Sequence, residues 1–336
     1  MDENRFGIAG YGLFLPERLE TESELMDRTG CDRETLAALG LRRRYQPSPE
    51  DQPVRMAEKA ALQAFARAEN LVPESVDLVL WTGEEYKDYI AQTASIRLQE
   101  ELGCRRAWAF DLVGQGVTLL HGLRVARDMM IGDRGIRTVL LAGGTRNIDL
   151  VDQQRPETRF LLPYSASGAA LILKRGVLNN ELLDVHLAAD PEMADEVCVP
   201  GGGTEQPFSP ENIGAPEMFF QVTRPEVLSA YLDHLWPERL LGIARQVLAG
   251  SRPDYLALRH LAPAHRIRVL QGLGLDEQHS ASLERTGHHG SNDVLLSLEL
   301  GHRQGMIKPG DRVVLLSGGI GFNYGAALIR WGRAQG

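Results

Sequence analysis

Two loops in this chain carry residue types suited to stabilising an anionic transition state. The first follows Phe110-Asp111-Leu112-Val113 and enters a helix-like segment at Gly116. The second, Gly287-His288-His289-Gly290-Ser291-Asn292, enters another at Asp293. A helix start offers free N–H groups and positive potential, so both loops suit a developing negative charge. His260 closes the apolar run Tyr255-Leu256-Ala257-Leu258-Arg259, where a lone histidine is either structural or a pocket residue. The turn Gly318-Gly319-Ile320-Gly321 permits close backbone approach to a ligand, or is simply tight. Thiol chemistry has a thin basis. Cys31, Cys104 and Cys198 are too few and too scattered for a disulfide framework or a zinc knuckle, and Cys104 and Cys198 read as packing residues. Gly7, Gly10 and Gly12 only superficially suggest a dinucleotide loop. Their spacing departs from G-x-G-x-x-G, and Pro16 interrupts where the helix should run, so nucleotide binding is excluded.

The elements that must position these residues alternate between strand-like and helix-like runs, the pattern of an α/β fold. Val76–Trp81, Thr138–Ala142 and Arg312–Ser317 read as buried strands. Met56 to Glu69, Gly116 to Met130 and Val294 to Gln304 read as helices. Strand runs apolar along their whole length fit a sheet covered on both faces. The 336 residues, 43% of them apolar, suffice for two compact units or one duplicated unit. A net charge of −9 argues against a general nucleic-acid binder. All of the 36 basic residues except Lys59, Lys87, Lys174 and Lys308 are arginine. That bias reads as genome composition, so the run Arg42-Arg43-Arg44 is weak evidence by itself. No segment approaches the ~20 apolar residues of a membrane span. The N-terminus Met1-Asp2-Glu3-Asn4-Arg5 precedes no signal-like core, and a soluble cytoplasmic protein is expected.

The chain also resembles itself. Ile136–Gly144 parallels Asp311–Gly319, Ser75–Leu80 parallels Arg252–Ala257, and Leu98-Gln99 with Leu102-Gly103 parallels Leu270-Gln271 with Leu273-Gly274. Three matches in one order, separated by about 175 residues, argue for duplicated halves. We place these at 1–175 and 176–336, with residues 186–230 crossing between them and shaping a pocket. Related halves would bring the two helix-start loops together at the centre.

These motifs resemble the thiolase-fold condensing enzymes, most closely the β-ketoacyl-ACP synthase III family. The resemblance runs nearly end to end. It includes Gly7-Ile8-Ala9-Gly10-Tyr11-Gly12-Leu13-Phe14-Leu15-Pro16, Leu41-Arg42-Arg43-Arg44 and Ala109-Phe110-Asp111-Leu112. It continues through His260-Leu261-Ala262-Pro263-Ala264-His265-Arg266-Ile267, Gly305-Met306-Ile307-Lys308-Pro309-Gly310-Asp311 and Ser317–Gly325. The resemblance implies a five-layer αβαβα sandwich and a transferase of fatty acid or polyketide biosynthesis acting on acyl-CoA or acyl carrier protein. It implies a homodimer or a heterodimer with a paralogue, and no cofactor or metal beyond the CoA or phosphopantetheine of the substrate.

The family uses a cysteine, a histidine and an asparagine. On that pattern His260 is the acid/base, with His265 a weaker second candidate. Asn292 or Ser291 is the enolate donor, although helix capping accounts equally well for both. Gly319 and Ile320 lie at the oxyanion turn. Arg42, Arg43 and Arg44 meet CoA phosphates or the carrier protein. The departure is the nucleophile: five residues past Asp111 stands Gly116, not cysteine. A one-residue shift would put Gln115 there, as in relatives that decarboxylate or set chain length. Three readings remain open: direct acyl transfer or decarboxylation in secondary metabolism, a non-catalytic subunit beside a cysteine-bearing paralogue, or a variant whose nucleophile has been replaced.

Overall fold

Strand β1 (Phe6–Phe14) lies near the middle of a nine-stranded sheet in the computed structural model, which describes residues 5–177 and 179–332. In chain order there follow the ribbon strand β2 (Arg18–Glu20), helices α1 (Glu22–Thr29) and α2 (Arg33–Ala38), and β3 (Arg44–Gln46), which pairs with β2. Next come α3 (Pro53–Arg67), β4 (Leu78–Trp81), α4 (Ala94–Leu102), β5 (Trp108–Asp111), α5 (Thr118–Gly132), β6 (Thr138–Thr145) and β7 (Ser167–Arg175). The remainder runs through β8 (Glu181–Ala189), the short pair β9 (Val197–Cys198) and β10 (Gln221–Val222), α6 (Pro225–Ala230) and α7 (Trp236–Leu248). It ends with β11 (Tyr255–Leu258), α8 (Pro263–Gly272), α9 (Asp293–Arg303), β12 (Arg312–Gly319) and β13 (Asn323–Arg330).

The sheet order is β11-β12-β13-β8-β1-β7-β6-β4-β5. Outward from the β1·β8 contact, each side runs antiparallel and then parallel, with β4·β6 matched by β11·β12. Successive residues of each strand feed different cores. Leu78 and Leu80 join α5 and α9 in a central apolar cluster, while Val79 and Trp81 join α3 and α4 in an outer one. On the other side Val313 and Leu315 face the central helices, and Val314 and Leu316 face α7 and α8. The layers are therefore helix, sheet, helix, sheet, helix, the thiolase-like sandwich. Strands β4, β6, β11 and β12 are covered on both faces, which is why they read as unbroken apolar runs.

Most boundaries shift by one to three residues from the sequence reading, and two of the shifts have a local cause. Asp77 stays outside β4 because its carboxylate accepts the N–H groups of Arg137 and Thr138, at 2.8 and 2.9 Å. The helix expected from Gly116 begins at Thr118, because Gln115–Val117 forms a tighter turn, capped by Thr118 Oγ1 donating to Gln115 O at 2.7 Å. Gly10 and Gly12 have a packing reason. A Cβ at either would lie 2.2 or 2.1 Å from the Ala64 or Ala60 carbonyl of α3, so these glycines let helix and strand meet closely.

Candidate active site

The helix-start loops and the C-terminal ends of β11 and β12 meet beside a cavity of about 490 Å³. Gly116 reaches it from the first loop, His288 from the second, Arg259 and His260 from the end of β11, and Gly319, Ile320 and Phe322 from the β12–β13 turn. Most of the remaining wall is apolar, with Leu39, Phe160, Leu161, Leu228, Leu232 and Trp236 among its residues. Val222, Pro225, Leu228 and Ser229 come from the segment that follows β8, so that segment does shape the pocket.

Asp293 organises the polar end. It begins α9 and is fully buried. Its Oδ1 accepts the His289 N–H at 2.7 Å, and its Oδ2 accepts the His260 N–H at 2.9 Å. His288 Nδ1 lies 2.5 Å from the same Oδ2. Arg259 Nη2 is 2.9 Å from His288 Nε2. A guanidinium can only donate, so Nε2 accepts, Nδ1 carries the proton, and His288 is neutral with a fixed tautomer. Tyr164 stacks on the ring at 4.7 Å between centroids. His260 is set differently. Its Nε2 lies 2.9 Å from Gly40 O and must donate to it, which leaves Nδ1 as the acceptor, without a partner among the described residues. Burial pushes the His260 and His289 pKa values down to about 4.

Gly116 is clamped from the second half. Ser317 Oγ donates to Gly116 O at 2.6 Å, and Asn323 Nδ2 donates to Gly114 O at 2.9 Å. A Cβ at position 116 would lie 2.9 Å from Gly318 O, which Arg259 Nη1 holds in place. Gly116→Cys is therefore expected to lower unfolding stability by about 1–3 kcal/mol, as overpacking does. Urea denaturation of the two proteins measures it, and an unchanged midpoint would count against the tight approach.

Several residues singled out in the sequence lie elsewhere. Ser291 Oγ donates to Thr82 O at 2.8 Å, and Asn292 Nδ2 donates to Ser167 Oγ at 3.1 Å. Both side chains are spent against the ends of first-half strands. Neither lines the cavity, and Asn292 makes no capping hydrogen bond although it stands at the N-cap of α9. Gln115 is also absent from the wall and takes a left-handed conformation at φ 48°. Arg44 is fully buried, because it pairs across the ribbon with Glu20 at 2.7 Å and donates to Leu162 O and Gln153 Oε1. It has no surface to offer CoA. Arg42 and Arg43 are both exposed, and Arg42 is bound to Glu284 at 3.1 Å. Among the cysteines, Cys31 and Cys104 are buried, Cys198 is exposed rather than packed, and none lines the cavity. Burial pushes the Cys104 thiol up to about 12. His265 does line the cavity, 3.6 Å from Asp233.

Sequence reasoning passed over Arg259, the Asp293–His288 pair and Glu84. The signal for Arg259 was its place at the C-terminal end of a buried strand, where α/β proteins build their sites. Glu84 is buried, with one carboxylate oxygen accepting the Ser291 N–H at 2.8 Å and the other unpartnered. Burial raises its pKa to about 7.

These groups give stability a pH dependence. The buried histidines are held near 4 against an ordinary 6.5, so their contribution is full above pH 6.5 and is lost as pH falls toward 4. Glu84 runs the other way: its contribution is full below 4.5 and is lost as pH rises through 7. Two histidines outweigh one glutamate, so the urea midpoint is expected to rise from pH 4.5 to 6.5. Glu84→Gln is expected to steepen that rise. A midpoint that falls over this window, or is insensitive to Glu84→Gln, would contradict the assignment.

The architecture is that of a thiolase-fold protein. The chain superposes on 3-oxoacyl-(acyl carrier protein) synthase III of Pseudomonas aeruginosa PAO1 with a TM-score of 0.83, at 21% identity, covering 99% of this chain and 100% of that one. OleA of Xanthomonas campestris, in a structure with bound lauric acid and lauroyl-CoA, superposes with a TM-score of 0.80 at 19% identity, covering 97% and 99%. Residues 247–331 match the family described as 3-oxoacyl-[acyl-carrier-protein (ACP)] synthase III C terminal. Beta-ketoacyl-[acyl-carrier-protein] synthase III of Symbiobacterium thermophilum is 26% identical over 334 residues, spanning 97% of this chain and 98% of the relative. That of Chlamydia caviae is 25% identical over 325 residues, spanning 95% of each. Over nearly its whole length the chain is thus similar to ketosynthase III proteins. Among the described residues no helix is long and apolar enough to cross a membrane.

Proposed function

We propose that this chain is a ketosynthase III-like acyltransferase of secondary metabolism. It takes an acyl-CoA or acyl carrier protein thioester into the cavity and transfers the acyl group without a cysteine acyl-enzyme. The observation that carries this reading is the composition of the cavity wall. On the family resemblance Gly116 stands where the cysteine would be; no thiol lines the cavity, and an aspartate-bound histidine and a guanidinium stand in the same wall. An oriented imidazole and a fixed cation suit direct transfer.

In that step the proton of the acceptor passes to an imidazole, on His288 Nε2 once Arg259 releases it or on His260 Nδ1. The acceptor atom bonds to the thioester carbon while the carbonyl electron pair moves to oxygen. The carbon–sulfur bond breaks as that pair returns, and the leaving thiolate takes the proton back. Asp293 keeps the His288 proton on Nδ1 throughout. Relatives named as β-ketoacyl-ACP synthases, and the OleA structure with lauroyl-CoA, support a thioester substrate.

The reading includes a dimer. β5 is an edge strand whose Trp108 is 51% exposed, and Tyr89 and Ile90, in the connection between β4 and α4, are 66% and 75% exposed. An apolar sheet edge of this kind is a pairing surface, for a second copy or a paralogue. Release of free thiol from a panel of acyl-CoA and malonyl-CoA thioesters, with product analysis, tests the activity. Thiol release with a new acyl product is expected. No release with any thioester, alone or on a carrier protein, would contradict it.

A further inference from the structure

Arg259 lines the cavity with no carboxylate in contact with it among the described residues. Its Nε donates to His260 O at 3.2 Å, Nη1 to Gly318 O, and Nη2 to His288 Nε2 at 2.9 Å. The guanidinium also lies 5.2 Å from the centroid of the Trp236 ring. All of these partners are neutral. Among the described residues no carboxylate contacts Arg259; the buried Asp293 and Glu84 act on it only through space, and Asp293 is hydrogen-bonded to it only by way of His288. A guanidinium carries five N–H groups, and these contacts use three. Cations set in an apolar protein wall are ordinarily paired, because desolvation makes a lone one costly. Arg259 keeps accessible surface and lines the cavity, so its counter-charge has room to enter.

Its position matters as much as its charge. Gly318 O, which Arg259 holds, is 2.9 Å from where a side chain on Gly116 would begin. The cation therefore stands beside the place from which a covalent acyl group would hang. We infer that Arg259 is the specificity-determining residue of the cavity and that it selects a ligand bearing a carboxylate on an apolar chain. Two sources share that chemistry: a free alkanoic acid, and an acyl thioester with a second carboxylate on its acyl group. Either is held by a forked guanidinium–carboxylate contact in place of a thioester bond to the protein. This rests on the reading of the cavity as an acyl site.

Calorimetric titration of the full chain tests it with two matched pairs. One is sodium octanoate against octan-1-ol, and the other is suberyl-CoA against octanoyl-CoA. Within at least one pair the carboxylate is expected to bind about tenfold or more tightly, the size of one charge-assisted hydrogen bond. The preference is expected to vanish in Arg259→Met and to return in part in Arg259→Lys. Preference in the first pair alone identifies the free acid, and in the second alone the carboxylated thioester. Equal binding within both pairs by the wild type overturns the inference while leaving the acyl site standing. A folded Arg259→Met protein that keeps the preference overturns it too. Should that variant not fold, the Arg259→Lys protein decides, and an undiminished preference there is the contrary result. If none of the four ligands binds, the acyl-site reading falls and this inference with it.

Discussion

Asp293→Ala is expected to cost about 3–5 kcal/mol of unfolding stability, the scale for removing one partner from a buried charged network. The side chain is fully buried and accepts two backbone N–H groups and one imidazole N–H, from three different residues. Burial alone would raise its pKa, but the facing His288, His289 and Arg259 and the His288 hydrogen bond hold it well below the usual carboxylate range. Alanine would leave the His260 and His289 N–H groups and the His288 ring N–H buried without acceptors, each costing about 1–3 kcal/mol before relaxation. The loss is more than local. The end of β11, the 287–292 loop and the start of α9 are all tied to this one carboxylate. Urea denaturation at pH 7.5 reads the effect, and an unchanged midpoint would show that the network adds nothing.

His288→Ala is expected to lower the turnover number for thioester consumption by about 10²–10⁴, the range for a positioned acid–base group. Substrate affinity should change far less, because the apolar wall that holds the acyl chain is untouched. Asp293→Asn keeps the shape and removes the charge that fixes the proton on His288 Nδ1. It is expected to reproduce most of the loss and to flatten the pH profile of the rate. A His288 that merely packs against Tyr164 would move neither the profile nor the turnover number of a folded variant. Steady-state kinetics over pH 5.5–8.5 on the three proteins separates the two roles.

Much of the architecture was legible because it is written in local apolar pattern. Thr138–Ala142 and Arg312–Ser317 read as buried strands, and they are the cores of β6 and β12, covered on both faces. Their glycine-rich ends mark where backbone approaches backbone, and Gly116 against Gly318 is such a place. The site was harder to read, for a physical reason. Which way a side chain turns depends on neighbours distant in sequence. Ser291 and Asn292 follow closely on the cavity residue His288 in sequence, yet strand ends 209 and 125 residues away, respectively, draw their side chains off. Arg44 looks like a phosphate contact in a run of three arginines. Its strand partner Glu20, visible only once β2 and β3 pair, buries it. Arg259 appeared as the polar end of an apolar run, and nothing in the local pattern shows that a cavity opens there.

The central claim is that acyl chemistry proceeds in this cavity without a bond to the protein. Intact mass spectrometry of the purified chain, quenched during turnover of an acyl-CoA that it consumes, tests this most directly. The account predicts an unmodified mass at every time point while free CoA and acyl product accumulate. A mass increase equal to the acyl group, appearing and decaying with turnover, would contradict it and place a nucleophile where none has been assigned.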